Sequence, residues 1–260
     1  MRMRKIARRL VAISSVVLLL AAAAAYIQAN RVPADYRPAD LSASQRDEAT
    51  KEFWRRIQDF GNAAQLNEPY YWSVTQDELN RFLAAMDEIA SSVPSGEPGQ
   101  VYIAMDESGL AQPALSLADG VVRLMVRSTK HHKIFSADLR FAFTDDKRLQ
   151  VAVAGLHIGR MPVPKSWAQV RLRSAADPLH SKLSQAATQA ERPDQASGVG
   201  PSSRDIARIL RALLGAVEGE PVPTDLTWPV NKKHVRIDGI EIGSGALRLH
   251  VVPVDRAQYR

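Results

Sequence analysis

The chain contains no cysteine. That excludes a disulfide framework, a thiolate zinc site and a thiol nucleophile, so core packing must hold the fold. The catalytic signatures that can be read along a chain are missing too. There is no GxSxG elbow and no SxxK. There is no HExxH, and the six histidines show no ligand spacing. His131 and His132 are adjacent, while His157, His180, His234 and His250 stand apart. Neither GxGxxG nor GxxxxGK[ST] occurs, so nucleotide binding has no motif behind it. Carboxylate pairs at Asp77-Glu78, Asp87-Glu88, Asp106-Glu107 and Asp145-Asp146 fall at helix starts, solvent faces or turns, where solvated acids are ordinary. No catalytic residue, cofactor or metal is expected, and the protein reads as a non-enzyme.

A real surplus of basic charge is lacking as well. The formal charge is +6, but Arg2, Arg4, Lys5, Arg8 and Arg9 supply +5, leaving +1 for the rest. The chain therefore has no electrostatic footprint for nucleic acid. What remains is uneven. Residues 30–120 hold 7 Lys+Arg against 15 Asp+Glu, and residues 121–173 hold 11 against 3. Two readings are open: the oppositely charged parts face one another in one fold, or the basic part lies beside an anionic headgroup layer.

The longest stretch without charge is Leu10–Ile27, LVAISSVVLLLAAAAAYI, directly behind the five basic residues. As a helix it is about 27 Å long, enough to cross a hydrocarbon core. The basic cluster stays cytoplasmic by the positive-inside rule. The expectation is a single-pass signal anchor with the bulk of the chain outside the cytoplasm, periplasmic or extracellular. A signal peptide cleaved near the Ala21–Ala25 run is the other reading. Residues 1–29 are then n-region and transmembrane helix, 30–41 a juxtamembrane linker with Pro33 and Pro38, and 42–257 one extracytoplasmic α+β domain. A mobile linker is expected near 192–203 (RPDQASGVGPSS).

Within the domain, Ser42 and Gln45 predict a capping box for a helix from about Ala43 to Leu66. Its apolar stripe is Phe53, Ile57 and Phe60. Glu68–Ser73 reads as an aromatic connector. Thr75 and Glu78 predict a second box, for a helix through about Ile89 with Leu79, Phe82, Leu83 and Met86 buried. Val101–Met105 alternates as a strand, and Asp119-Gly120 is a tight-turn signal. Val122, Leu124 and Val126 share one face of the next strand. Lys130–Lys133 turns the chain, and Phe135, Ala137, Leu139, Phe141 and Phe143 alternate with polar residues. Leu149, Val151 and Val153 continue this antiparallel meander, with one apolar and one polar face. Lys165–Glu191 reads as helix, and Ser203 caps another. Strands over about Lys233–Ile242 and Ala246–Val254 are joined by Gly243-Ser244-Gly245, a hairpin turn rather than a nucleophile elbow.

Three segments carry a resemblance: WSVTQDELNRFL (Trp72–Leu83), GLHIGRMPVPKSW (Gly155–Trp167) and VRIDGIEIGSGALRLHVVPV (Val235–Val254). Their order behind one N-terminal anchor resembles the YpmS-like group of membrane-anchored extracytoplasmic proteins, with its ELN helix and "iGxlPlP" segment. That group is similar to the TULIP-type lipid-binding folds. The resemblance implies a curved antiparallel sheet packed with helices, lipid binding and no catalytic residues. It makes Val122, Leu124, Val126, Phe135, Leu139, Phe141 and Phe143 the candidate lipid-binding residues. The same apolar face serves equally as plain core against Leu79, Phe82 and Met86. The functional expectation is a non-enzymatic envelope protein, bound to the bilayer through Leu10–Ile27, that binds lipid or another amphiphile. The alternative is a structural or scaffold module that binds another envelope protein.

Overall fold

Hydrophobic alternation and two strong helix caps give an α+β fold of two antiparallel sheets and a few helices. The computed structural model describes residues 19–66, 68–92, 109–145, 148–164 and 234–254. Residues 19–30 form helix α1, and the rest of the Leu10–Ile27 run lies outside the described residues. So do the expected strand Val101–Met105, the expected helices after Lys165 and Ser203, and the 192–203 linker. Among the described residues, no helix is long and apolar enough to cross a membrane.

Helix α2 spans Ala43–Gln65 and opens with the expected box: the Ser42 hydroxyl accepts from the Gln45 N–H, and Gln45 Oε1 accepts from the Ser42 N–H at 2.9 Å. Strand β1 (Tyr70–Thr75) follows, so the segment read as a connector is a strand. Alternation explains the correction. Tyr70, Trp72 and Val74 point to one face and pair with Val251, Leu249 and Leu247 of strand β8 (Ala246–Val254). Phe60 of α2 meets Tyr70 and Trp72 edge-on, at centroid distances of 5.8 and 6.1 Å. Strand β7 (His234–Gly243) completes a three-stranded sheet of order β1-β8-β7. The glycine-serine-glycine turn joins β7 to β8 as expected, with Gly245 at φ +77°.

The second helix is shorter than expected. It breaks at Ala85 into α3 (Gln76–Ala84) and α4 (Met86–Ser91). Ala85 is fully buried and lies off helical geometry, so the chain bends where it packs. The second box is intact: the Thr75 hydroxyl accepts from the Glu78 N–H, and Glu78 accepts from the Thr75 N–H at 2.8 Å.

Strands β2 (Leu110–Ala118), β3 (Val121–Ser128), β4 (Ile134–Phe143), β5 (Leu149–Ile158) and β6 (Met161–Pro162) form a five-stranded sheet in chain order. Asp119 and Gly120 both take positive φ, +51° and +73°, the geometry of a type I′ hairpin turn. Pro162 sits on the edge strand β6, where its missing N–H costs no ladder bond. The two sheets meet where the β2–β3 turn touches the β7–β8 turn. Gly120 N–H donates to Ile242 O at 3.2 Å, and Gly245 N–H donates to Leu117 O at 3.1 Å. One apolar cluster spans the junction: Leu115, Leu117 and Val122, with Leu79, Leu83, Leu139, Phe141, Ile242 and Leu247 around them.

Candidate functional site

The five-stranded sheet presents two unlike faces. On the apolar face, Val122 pairs with Leu139, Val126 with Phe135, and Phe141 with Val151. Phe143 pairs with Leu149, and a bulge between Asp138 and Leu139 keeps the face continuous across β5. All seven candidate residues share this face, but their environments differ. Val122 is buried, and Leu139 and Phe141 pack against buried residues under α3. Leu124 is 42% exposed, and Val126, Phe135 and Phe143 are half-buried outside any such cluster. Among the described residues the face is packed at Val122, Leu139 and Phe141, and of the seven candidates Leu124 alone is exposed. The rows Val126–Phe135–Ile158 and Leu124–Ala137–Leu156 lie next to the β3–β4 and β5–β6 turns. Leu156 and Ile158 belong to the face and were not among the expected residues. They sit beyond the bulge, where simple alternation from Val153 loses the register.

The polar face is strapped. Arg123 Nε and one terminal nitrogen donate to the two oxygens of Asp138 at 2.6 and 3.0 Å, and the other donates to Asp35 at 2.9 Å. The Asp138 bonds, outweighing burial, hold the guanidinium charge still more firmly than usual. Tyr36 packs on the buried Ala114, Met125 and Ile134, and its hydroxyl donates to Gln112 O at 2.9 Å. Part of the juxtamembrane segment, at Asp35 and Tyr36, therefore lies along the sheet.

Beside the strap is an open pocket of about 430 Å³, lined by Asp35, Arg123, Ser136, His157 and Arg160 among others. Ser136 and His157 are cross-strand partners next to Asp138, the residue types of an acyl-transfer triad. The geometry does not join them. His157 Nδ1 is 3.9 Å from Asp138, has no hydrogen-bond partner, and Arg123 already holds both Asp138 oxygens. Gly155 leaves the room these side chains occupy: a Cβ there would lie 3.1 Å from the His157 ring. Among the described residues, no group of three or more His, Asp or Glu is placed to hold a metal.

The ELN segment is structural chemistry. Glu78 closes the cap and pairs with Arg56, and Leu79 enters the junction core. The buried Asn80 donates to Leu115 O at 3.0 Å and accepts from Leu115 N–H at 2.7 Å. Gln76 accepts from Leu117 N–H at 2.8 Å. Two side-chain amides thereby satisfy the outer edge of β2 as a neighbouring strand would. Compared with known proteins, the chain matches no family model, no curated protein and no solved structure.

Proposed function

We propose that the protein is a non-enzymatic envelope protein, anchored through Leu10–Ile27, that holds a lipid or another amphiphile on the apolar face of its five-stranded sheet. The observation that supports this most is an exposed leucine on the apolar face. Leu124, 42% exposed, sits among Val126, Phe135, Leu156 and Ile158, while the same face is closed at Val122, Leu139 and Phe141. An exposed leucine among apolar neighbours suits contact with an acyl chain. The YpmS-like resemblance points the same way. The scaffold reading has its own support on the three-stranded sheet. There Tyr71, 61% exposed, stacks on His250 at 4.7 Å with Arg248 at 5.8 Å, a surface of the kind that anchors protein partners.

Mass spectrometry of the detergent-extracted full chain decides between them. A stoichiometric co-purifying lipid that is lost with Leu124→Glu is the expected result. A lipid-free protein that also fails to bind a fluorescent fatty acid would leave the scaffold reading.

A further inference from the structure

The polar face of the five-stranded sheet holds groups that the lipid reading does not use. They meet in the pocket of about 430 Å³ beside the strap. Two of its lining residues, Ser136 and His157, stand directly opposite one another on β4 and β5, where facing Cβ atoms lie about 4.5–5.5 Å apart. Ser136 is only 6% exposed, yet its hydroxyl has no hydrogen-bond partner among the described residues. His157 Nδ1 is buried and has none either. The strap makes one wall of the pocket, and Gly159 and Arg160 of the β5–β6 turn make another. These walls are fixed to each other. Arg160 N–H donates to Gln28 O at 2.9 Å, and a Cβ at Gly159, φ +57°, would stand 2.6–2.7 Å from the carbonyls of Gln28, Ala29 and Arg31. Arg160 Nε donates to Val32 O at 3.0 Å, which sets the guanidinium beside the strap. Its terminal nitrogens have no partner among the described residues, and the side chain is exposed.

We propose that this pocket binds a small soluble oxyanion, a carboxylate or a phosphate, between Ser136, His157 and the Arg160 guanidinium. The balance of donors and acceptors carries the proposal. Arg123 is already spent: Nε and one terminal nitrogen hold both oxygens of Asp138, and the other terminal nitrogen holds one oxygen of Asp35. The unfilled groups around the pocket are then the Ser136 hydroxyl, the His157 imidazole and the Arg160 fork, against the second oxygen of Asp35. Donors outnumber acceptors, so the occupant must bring acceptors. The Asp35 carboxylate answers the charge of Arg123, which leaves the charge of Arg160 without a counter-ion among the described residues. A guanidinium fork matches two oxygens of a carboxylate or phosphate, a geometry that a water molecule does not offer. Buried groups without partners cost free energy, and an oxyanion touching Ser136 and His157 together removes that cost. The volume suits an anion that carries a small organic body. Ser136 and His157 alternate with Phe135 and Ile158, so this site lies across the sheet from the candidate lipid face and is independent of it.

The test follows the His157 ring by NMR in the full chain, with histidine nitrogens isotopically labelled and the protein held in phosphatidylcholine nanodiscs. His157→Gln identifies the signal among the six histidines by removing it. Inorganic phosphate and, separately, acetate are titrated at constant pH and ionic strength. Movement of the His157 signal to saturation with either ion is the expected result. Ser136→Ala removes a hydroxyl that bonds to no described residue, so the fold keeps its contacts, and it should weaken the ion about tenfold, the worth of one hydrogen bond to a charged group. Arg160→Gln, at an exposed position, should weaken it at least as much. A signal that only drifts in proportion to added salt means that the pocket holds water alone and overturns the proposal. Unchanged affinity in either variant does the same. So does a signal that moves only when phosphatidylglycerol is added to the disc, since the anion is then a headgroup and not a soluble ligand. None of these outcomes touches the lipid reading of the opposite face.

Discussion

Phe141 and Phe135 share a strand and a face but not an environment. Phe141 packs with Val122, Leu139 and Val151, whereas Phe135 lies outside any buried cluster. Phe141→Ala should therefore cost about 3 kcal/mol, the low end for a phenylalanine truncated in a core, because Phe141 is only half-buried. Phe135→Ala should cost about 1 kcal/mol or less and instead weaken lipid retention. Denaturant unfolding beside a fatty-acid titration reads both. A larger stability loss for Phe135 would show that it too is core. Glu78 gives a pH-dependent counterpart. Burial alone would raise its pKa, but bonds from the Thr75 N–H, Arg56 and the Thr75 hydroxyl together hold it below the ordinary 4.5. A depressed folded-state pKa contributes stability that is fully present above the unfolded value and is lost as pH falls through the folded one. Stability should thus drop below about pH 4.5, and Glu78→Gln should flatten that part of a urea-midpoint profile while lowering stability at neutral pH.

At the scale of elements, α3 stands in for a missing strand. Asn80 exchanges two hydrogen bonds with Leu115, and Gln76 takes a third from Leu117. Asn80→Leu leaves both Leu115 groups without partners in a buried place, which should cost about 2–4 kcal/mol. It also bares the β2 edge, so the variant should associate at concentrations where the unmutated chain does not, measured by sedimentation velocity. Both capping boxes, the Asp119-Gly120 and Gly243-Ser244-Gly245 turns, and the alternation of β3, β4 and β8 were legible in the sequence, because each is a local rule with its residues adjacent. Strand β2 was not. Pro113 and the positive φ of Gln112 mask its period with a bulge, which an edge strand tolerates. Strand β1 was hidden by its aromatics, which read as a connector until β8 pairs with them. The candidate face was legible as a face. Which part of it is packed was not, since α3, β7 and β8 are brought over it from distant parts of the chain.

Across the whole molecule, the packed part of the face is a joint product of both sheets. Ile242 and Leu247 come from the three-stranded sheet, Leu115, Leu117 and Val122 from the five-stranded one, and Leu79 and Leu83 of α3 lie with them. Two backbone bonds join the sheets at the same place, Gly120 to Ile242 and Gly245 to Leu117. A shared core with shared backbone bonds couples the two sheets, because separating them exposes apolar surface on both. Leu247→Ala removes a side chain of the three-stranded sheet only. If the sheets form one cooperative unit, its cost, about 2–4 kcal/mol for a leucine truncated in a core, should appear equally in both sheets. Native-state hydrogen exchange should show amides of β3 and β4 losing as much opening free energy as those of β8. A loss confined to β1, β7 and β8 would mean two separately folding units. The deep end of the apolar face would then be a hinged wall, and ligand retention should fall along with protection of the three-stranded sheet alone.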